Sequence, residues 1–564
     1  MRNVLSVVVV VSGALLWPAL ARAQLDDRVA GEILVDVRDD ASPADLADLS
    51  RIAGAALRPN SALSEPIKLE VVDVAPADEA AALLRLAADP RVEHAEPMGL
   101  YRASFVPNDP LYRTKQWHLT RVGAERAWDA ACGMGVTVAV IDTGVACFDD
   151  GVFSRGTDLS GTKCVAGYNF VDKGARPSDD QSHGTHVAGT IAQTTGNGKG
   201  GAGLAYCATL MPVKVLSKQG WGTTANIAEG VRFAADHGAQ IINLSLGGPL
   251  RSAVLEDAVA HARSKGVTLV AAAGNSGGTV GYPAAYRGVI AVSATDSSDA
   301  VPRFSSRGPQ IAIAAPGVDV TQQTVCNAGR DRCELFGTLS GTSMASPHVA
   351  AAAALLVGSG VTDPDAIAAA LARSADARPD ENLYGAGILR ADSAVSSMLV
   401  RHLILRAALL LGLAALIARR IVRRSGKLRA RKLAIFGALM GGFGLLPVLP
   451  FTGSLPALGA YRWAGELVGR PLAEWDLVVD ADLHRTLVLA TAAPAFVATM
   501  LLFGAVRARP LVGGLALGTA ALAGQIALSG DVSCTVGPVG LRAAMVVSVA
   551  LCAWIARLSL DERA

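Results

Sequence analysis

Apolar positions follow four different rules along this chain. Residues 4–17 form an almost unbroken apolar run. From 24 to 105 the pattern is mixed. "GEILVDVRD" (31–39) and "PIKLEVVDV" (66–74) alternate with the period of strands, and "RVEHAEP" (91–97) adds a short third one. "PADLADLSRIAG" (43–54) and "ADEAAALLRLAADP" (77–90) repeat with the period of amphipathic helices. These predict two helices on a small antiparallel sheet.

From 106 to 397 the apolar runs become short, continuous and rich in Val and Ile. "VTVAVID" (136–142), "TLMPVKVL" (209–216), "QIINLSL" (240–246), "VTLVAAAG" (267–274) and "VIAVSAT" (289–295) read as buried strands. Helical windows such as "NIAEGVRFAADHG" and "VLEDAVAHARSKG" separate some of them. That alternation predicts an α/β fold, a doubly wound, mostly parallel sheet with helices on both faces. Chemistry in such folds sits at the carboxyl ends of the strands. After 397 come longer apolar stretches near 403–418, 433–451, 486–506, 511–529 and 543–556, which predict an all-α transmembrane region of about five helices over 398–564.

The 564 residues allow several domains, and a net charge of +2 gives no support to nucleic-acid binding. Arg2, the apolar run and the small residues Ala21 and Ala23 form a signal-peptide pattern over 1–23 with cleavage after Ala23. Eight basic residues lie between 419 and 432 (Arg419, Arg420, Arg423, Arg424, Lys427, Arg429, Arg431, Lys432), which reads as a cytoplasmic loop beside a span. An outside start and five spans put that loop, Arg507, Arg509 and the C-terminus on the inner side. The expected location is the cytoplasmic membrane, multi-pass, with residues 106–397 on the extracytoplasmic side. Six of the eight cysteines fall between 130 and 335, which suits an oxidising compartment. Cys326–Cys333 is the first expected bridge, across a short loop, and Cys147–Cys164 the second.

Three segments carry candidate chemistry. "AVIDTGV" puts Asp142 at the end of a strand. "QSHGTHVAGT" puts His183 before a helix of small residues. "GTLSGTSMASPHVAAAAALL" puts Ser343 at the head of an apolar helix too short to span a bilayer. Asp, His and Ser in this order match one known chain order for a Ser-His-Asp triad. Pro347 has no N–H to return to the Ser343 carbonyl.

"VAVIDTGV", "HGTHVAGT" and "GTSMASPHVA" closely resemble the three catalytic blocks of the subtilisin family, and "SLGG", "AAAGN" and "FSSRGP" resemble further family blocks. The resemblance covers about 106–397. It implies a serine endopeptidase hydrolysing peptide bonds through an acyl-enzyme, with Ser343 as nucleophile, His183 as general base and Asp142 orienting the imidazole. The Asn275 side chain and the Ser343 N–H would form the oxyanion hole. Ser245, Leu246, Gly247 and Gly248 would make one wall of the substrate pocket, Ala273 and Gly274 the other, with Gly281 at its base. An uncharged pocket implies a large apolar residue before the scissile bond. "QGWGTT" (219–224) resembles the edge strand that pairs with substrate. His186 is expected to be structural.

Asp109 and Asp158 match calcium-ligating positions of the family. The nearby loop "TTGNGKGG" offers only Asn197 as a further side-chain ligand, so structural calcium and plain loop carboxylates both stand; the chemistry itself requires no cofactor. Residues 24–105 resemble the family's inhibitory propeptide, with maturation within 101–106; a permanent accessory domain is the other reading. The expected partners are protein or peptide substrates, the chain's own propeptide as intramolecular inhibitor, and membrane lipid. The alternative class is a catalytically silent peptide-binding or scaffold protein on the same fold.

Overall fold

A computed structural model describes residues 28–99, 105–149, 153–325, 335–424, 432–447, 449–452 and 454–562. The signal-peptide stretch, the Cys326–Cys333 bridge, residues 100–104 of the maturation region and residues 425–431 of the basic loop lie outside these. The chain divides into two compact units, residues 24–103 and the remainder.

The small unit has strands β1 (Arg28–Val37), β2 (Leu57–Pro59), β3 (Leu69–Asp73) and β4 (Val92–Gly99) in one antiparallel sheet of order β2-β3-β1-β4. Ile33, Val35 and Val37 alternate inward from β1 and bury against Leu49, Ala53, Ala82 and Leu86 of its two helices. Ser42 caps the first helix by accepting from the Asp45 N–H, while the Asp45 carboxylate accepts from the Ser42 N–H.

The second unit is built on seven strands: β5 (Thr137–Asp142), β6 (Tyr168–Asn169), β7 (Thr209–Lys214), β8 (Ile241–Leu244), β9 (Thr268–Ala272), β10 (Val289–Thr295) and β11 (Ile311–Pro316). Their order is β11-β10-β9-β8-β5-β7-β6, and each ladder is parallel. Successive residues of β5 feed opposite cores. Val138 and Val140 join the helices His183–Ala192 and Thr342–Gly358, whereas Ala139 and Ile141 join Thr224–Asp236 and Ala253–Ser264. Burial on both faces is why these strands are continuously apolar. A two-stranded antiparallel ribbon, β12 (Val320–Gln323) and β13 (Phe336–Leu339), stands beside them. The "QGWGTT" stretch is not an edge strand; it is an irregular segment closed by a Ser217 N–H to Trp221 carbonyl bond of 2.8 Å.

Among the described residues two disulfides are present. Cys147–Cys164 was expected; Cys132–Cys207, joining positions 75 residues apart, was not. Cys534 and Cys552 are free and buried.

The tail does not begin at a linker. One helix, Ala391–Arg424, starts inside the core of the seven-stranded unit, where Ala391, Ala394, Val395 and Met398 pack, and continues across the expected boundary at 397. Instead of five full spans, three helices among the described residues are long and apolar enough to cross a membrane: this one, Arg509–Ser529 and Gly537–Leu560. The bent pair Ala481–Ala490 and Ala493–Leu502 would make a fourth. The stretch near 433–451 yields only Lys432–Gly442, of 11 residues. This short helix reaches Arg509–Ser529 by small-residue contact. A Cβ on Gly514 would lie 1.9 Å from the Ala434 carbonyl oxygen, and one on Gly518 2.1 Å from that of Ala438.

Polar segments of the tail fold back onto the unit built on the seven strands. Arg462 is buried and donates to the Tyr206 hydroxyl at 2.7 Å and the Trp128 carbonyl at 2.9 Å. Leu477 and Ala481 sit fully buried in the core on one face of the sheet. Gly135 (φ +77°) lets this segment approach, since a Cβ there would meet the Leu477 carbonyl oxygen at 2.0 Å. The Asp531 carbonyl accepts from the Thr362 and Asp363 N–H groups at 2.8 and 3.0 Å. That core is therefore completed by residues far outside it. Leu477→Ala should cost about 2–5 kcal/mol, as for other buried leucines, and lower the melting temperature. An unchanged melting temperature would mean that the contact contributes nothing to stability.

Candidate active site

Three adjacent strands and one helix converge. β5 ends in Asp142, β8 runs into Ser245 and β9 leads to Asn275, while the Thr342–Gly358 helix starts beside them. All residues of that helix are buried except Ser343. Its run of alanines allows close contact with the sheet while the N-terminus stays at the surface.

Asp142 is fully buried; its Oδ1 accepts from the Thr143 N–H at 2.7 Å and lies 2.7 Å from His183 Nδ1. About a quarter of the His183 side chain is exposed. Burial alone would lower its pKa, but the charge and hydrogen bond of Asp142, with the charge of Asp179, outweigh it and raise the pKa above the ordinary value. The residue before it, Ser182, has φ +95°, a strained left-handed conformation at the turn into the helix.

Ser343 Oγ donates to the Ser245 carbonyl at 3.1 Å; among the described residues it shares no hydrogen bond with His183. The Ser343 carbonyl, left without a helical partner by Pro347, accepts from Ser245 Oγ at 2.8 Å. Ser245 Oγ in turn accepts from Asn243 Nδ2 and lies 2.9 Å from Ser346 Oγ. Asn275 Oδ1 accepts from both the N–H and the hydroxyl of Thr342, each at 2.9 Å. That fixes the amide and turns Nδ2 outward, close to Gly341.

The pocket residues also meet. Gly248 and Tyr282 exchange backbone hydrogen bonds of 2.8 and 2.9 Å, and the Gly281 N–H reaches the Ala273 carbonyl at 3.0 Å. A Cβ on Gly281 would stand 3.0 Å from the Gly248 carbonyl oxygen, so a side chain there would crowd the opposite wall. Gly247 and Gly248 are exposed, Leu246 and Gly274 are half-buried, and Ala273 is buried. Trp221 stands 79% exposed, in contact with solvent rather than a packed subsite.

Asp109 and Asp158 are both buried beside the 196–201 loop. Asp109 accepts from the N–H groups of Gly196 and Asn197, and Asp158 from Gly201 N–H, Gln193 Nε2 and Asn197 Nδ2. Burial pushes the Asp158 pKa up to about 6 against these bonds. The donor set fits calcium poorly: N–H groups occupy the carboxylates, and the described residues hold no cluster of three His, Cys, Asp or Glu side chains able to take a metal.

The subtilase family profile matches residues 133–387. A thermophilic serine proteinase of Bacillus sp. (strain AK1) is 39% identical over 334 residues, covering 59% of this chain and 79% of that protein. The chain belongs to the subtilase family. Thermitase of Thermoactinomyces vulgaris is 41% identical over 273 residues, 48% of this chain and 92% of the relative. A solved structure of proteases from Pseudoalteromonas arctica is 32% identical, covers 52% of this chain and 99% of its own, and gives a TM-score of 0.46. This subtilase is a subtilisin-like serine endopeptidase, a hydrolase.

Sequence reading missed two residues that organise the subtilase site. Asp179 is a buried carboxylate accepting from Thr143 Oγ1, from the N–H groups of Gln181, Ser182 and Thr185, and from Thr185 Oγ1. It caps the His183 helix, and the signal was an acid just ahead of a helix start. Thr342 holds Asn275, and nothing in "SGTS" announces that.

Three further histidines are buried and neutral. His118 Nδ1 lies 2.8 Å from His348 Nε2, and His348 Nδ1 donates to the Met344 carbonyl at 2.8 Å. His186 Nε2 donates to the Val320 and Gly337 carbonyls. Burial lowers His186 and His348 to about 4 and pushes His118 well down. Unfolded histidines take up protons near pH 6.5, His186 and His348 only near 4, so stability falls as pH drops across that window. Asp158 acts oppositely, its proton stabilising the fold as pH falls from about 6 toward 3.8. The slope, not the raw value, isolates the histidines. His348→Gln should flatten the loss of melting temperature between pH 6.5 and 4 in the non-autolysing Ser343→Ala background. An identical slope would refute this account.

Proposed function

We propose that Ser343, His183 and Asp142 form the catalytic triad of a membrane-tethered endopeptidase made as an autoprocessed precursor. The observation carrying this reading is the 2.7 Å His183–Asp142 bond beside the head of the Ser343 helix. Ser343 Oγ turns from Ser245 toward His183 Nε2 by rotation about its own Cα–Cβ bond as substrate binds. It then attacks the scissile carbonyl carbon while His183 takes its proton. Asn275 Nδ2 and the Ser343 N–H receive the oxyanion, aided by the positive end of the helix. The C–N bond breaks as His183 returns the proton to the leaving amine, and water repeats the sequence on the ester. Asp142 holds the imidazole tautomer and stabilises its cation.

The present Ser343–Ser245 bond also gives a silent scaffold its one supporting observation, and labelling of Ser343 by a fluorophosphonate decides between them. An active enzyme is labelled; Ser343→Ala is not. Asn275→Ala should lower kcat on the order of 10²–10³-fold with little change in KM, a magnitude taken over from subtilisin itself. Because His183 must be neutral to act, the acid limb of kcat/KM should lie above pH 6.5. Asp142→Asn should move it to lower pH and slow turnover by on the order of 10⁴, again a subtilisin magnitude. A limb that stays put in Asp142→Asn would dissociate it from His183.

The Gly281-based pocket is proposed to accept a large apolar residue before the scissile bond. A peptide library cleaved mainly after Arg or Asp would contradict this. The 24–103 unit is proposed to be an inhibitory propeptide, removed autocatalytically within 101–106, so Ser343→Ala should accumulate as uncut precursor. Calcium enters no step, and chelator should leave activity intact. The apolar helices of the tail support tethering with the peptidase outside and the Arg-rich ends inside.

A further inference from the structure

We propose that the end of the helical tail remote from the peptidase carries a binding site for the phosphate headgroup of an anionic phospholipid. The inference rests on reading the tail as membrane-spanning. The Ala391–Arg424 helix starts in the peptidase core, and the Gly537–Leu560 helix follows a loop whose Asp531 is bonded to Thr362. Both helices therefore run away from the peptidase and pack together with their C-terminal ends on the same side. Between those ends lies an open groove of about 840 Å³.

Arg419, Arg420 and Arg423 enter this groove from one helix and Arg557 from the other. Among the described residues none of the four has a carboxylate partner. This is unlike the buried arginines at the peptidase end of the tail. Arg406 pairs with Glu474, and Arg462 and Arg470 pair with Glu466. A basic residue in a helix's last turn complements the helix dipole, which accounts for one arginine per helix. It does not account for four converging on one groove, where they repel each other unless an anion joins them. Guanidinium groups suit phosphate in particular, binding it by paired N–H donors.

The rest of the groove specifies lipid rather than free phosphate. Its floor is apolar, and it opens on the flank of the bundle, where Leu416 is 65% and Trp554 57% exposed. Tryptophan at this depth marks the boundary between acyl chains and headgroups. Basic pockets between helices on the cytoplasmic side are a recurrent setting for anionic headgroups.

The test uses the full chain carrying Ser343→Ala, in micelles doped with phosphatidylglycerol, with phosphatidylcholine, or with inorganic phosphate alone. Lipid retained by the intact protein is read by native mass spectrometry, and stability by thermal melting. Phosphatidylglycerol should be retained and should raise the melting temperature; phosphatidylcholine and inorganic phosphate should do neither. Arg419→Gln, Arg423→Gln and Arg557→Gln together should weaken phosphatidylglycerol retention by about fivefold per arginine, while Arg542→Gln, at the opposite end of its helix, changes nothing. If the triple variant does not accumulate, Arg557→Gln alone is read against the same fivefold. Equal retention of both lipids, equal stabilisation by free phosphate, or undiminished retention in the variants would each overturn the proposal. Alkaline carbonate extraction of membranes reports separately on spanning: a chain that resists extraction but shows no lipid preference sinks the site and spares the anchor.

Discussion

The structure depends on one helix being threaded through the peptidase core with almost no side-chain bulk. Thr342–Gly358 is buried at every position but Ser343, and its middle is five consecutive alanines, Ala350 to Ala354. Alanine combines helix propensity with close approach. Its N-terminus must then emerge where β5, β8 and β9 end, so the nucleophile, Asp142, Ser245 and Asn275 meet without any long loop reaching across. Its C-terminus emerges at the opposite end, and there Thr362 and Asp363 bond to Asp531 of the tail. Site and anchor are thus the two ends of one rigid element.

Interruption of that helix matters as much as its continuity. Pro347 removes one backbone donor, and a freed buried carbonyl is costly unless it finds another. Ser245 supplies it, and Ser245 is held by Asn243 and Ser346. The same serine's carbonyl receives the Ser343 hydroxyl. A packing problem created by proline is solved by residues that also form the pocket wall, which couples the nucleophile's position to the substrate site.

What was legible from the residues follows from locality. The strands of the sheet are short apolar runs, and their ends carry Asp142 and Asn275, so a pattern confined to a few residues placed both. β11 was not foreseen because "IAIAAP" is too short and too alanine-rich to announce a strand. Thr342 and the Cys132–Cys207 bridge were not foreseen because each acts through a partner distant in sequence, whereas Asp179 left a local signal, an acid just ahead of a helix start, that many surface acids share. The tail misled for a related reason. An apolar stretch near 433–451 looks like a span, yet Gly444 and the prolines 447 and 450 end its helix early. Arg406, inside the first apolar stretch of the tail, is buried, paired with Glu474 and hydrogen-bonded to Gln525, both contributed from other segments.

The arginines of the tail consequently sort by partner rather than by position in sequence. A charge taken from water needs a counter-charge and hydrogen bonds, or it is not tolerated. For Arg406, Arg462 and Arg470 at the peptidase end those partners are glutamates of the same chain, and the polar segment that supplies them is also the one that docks on Trp128, Tyr206 and Gly135. Fixed charge pairs there hold the bundle against the peptidase. At the other end none of Arg419, Arg420, Arg423 and Arg557 pairs with a carboxylate among the described residues, and their guanidinium groups line an open, apolar-floored groove. The same residue type therefore does two jobs: internal where its partner is covalently part of the chain, and outward-facing where the partner has to come from the surroundings.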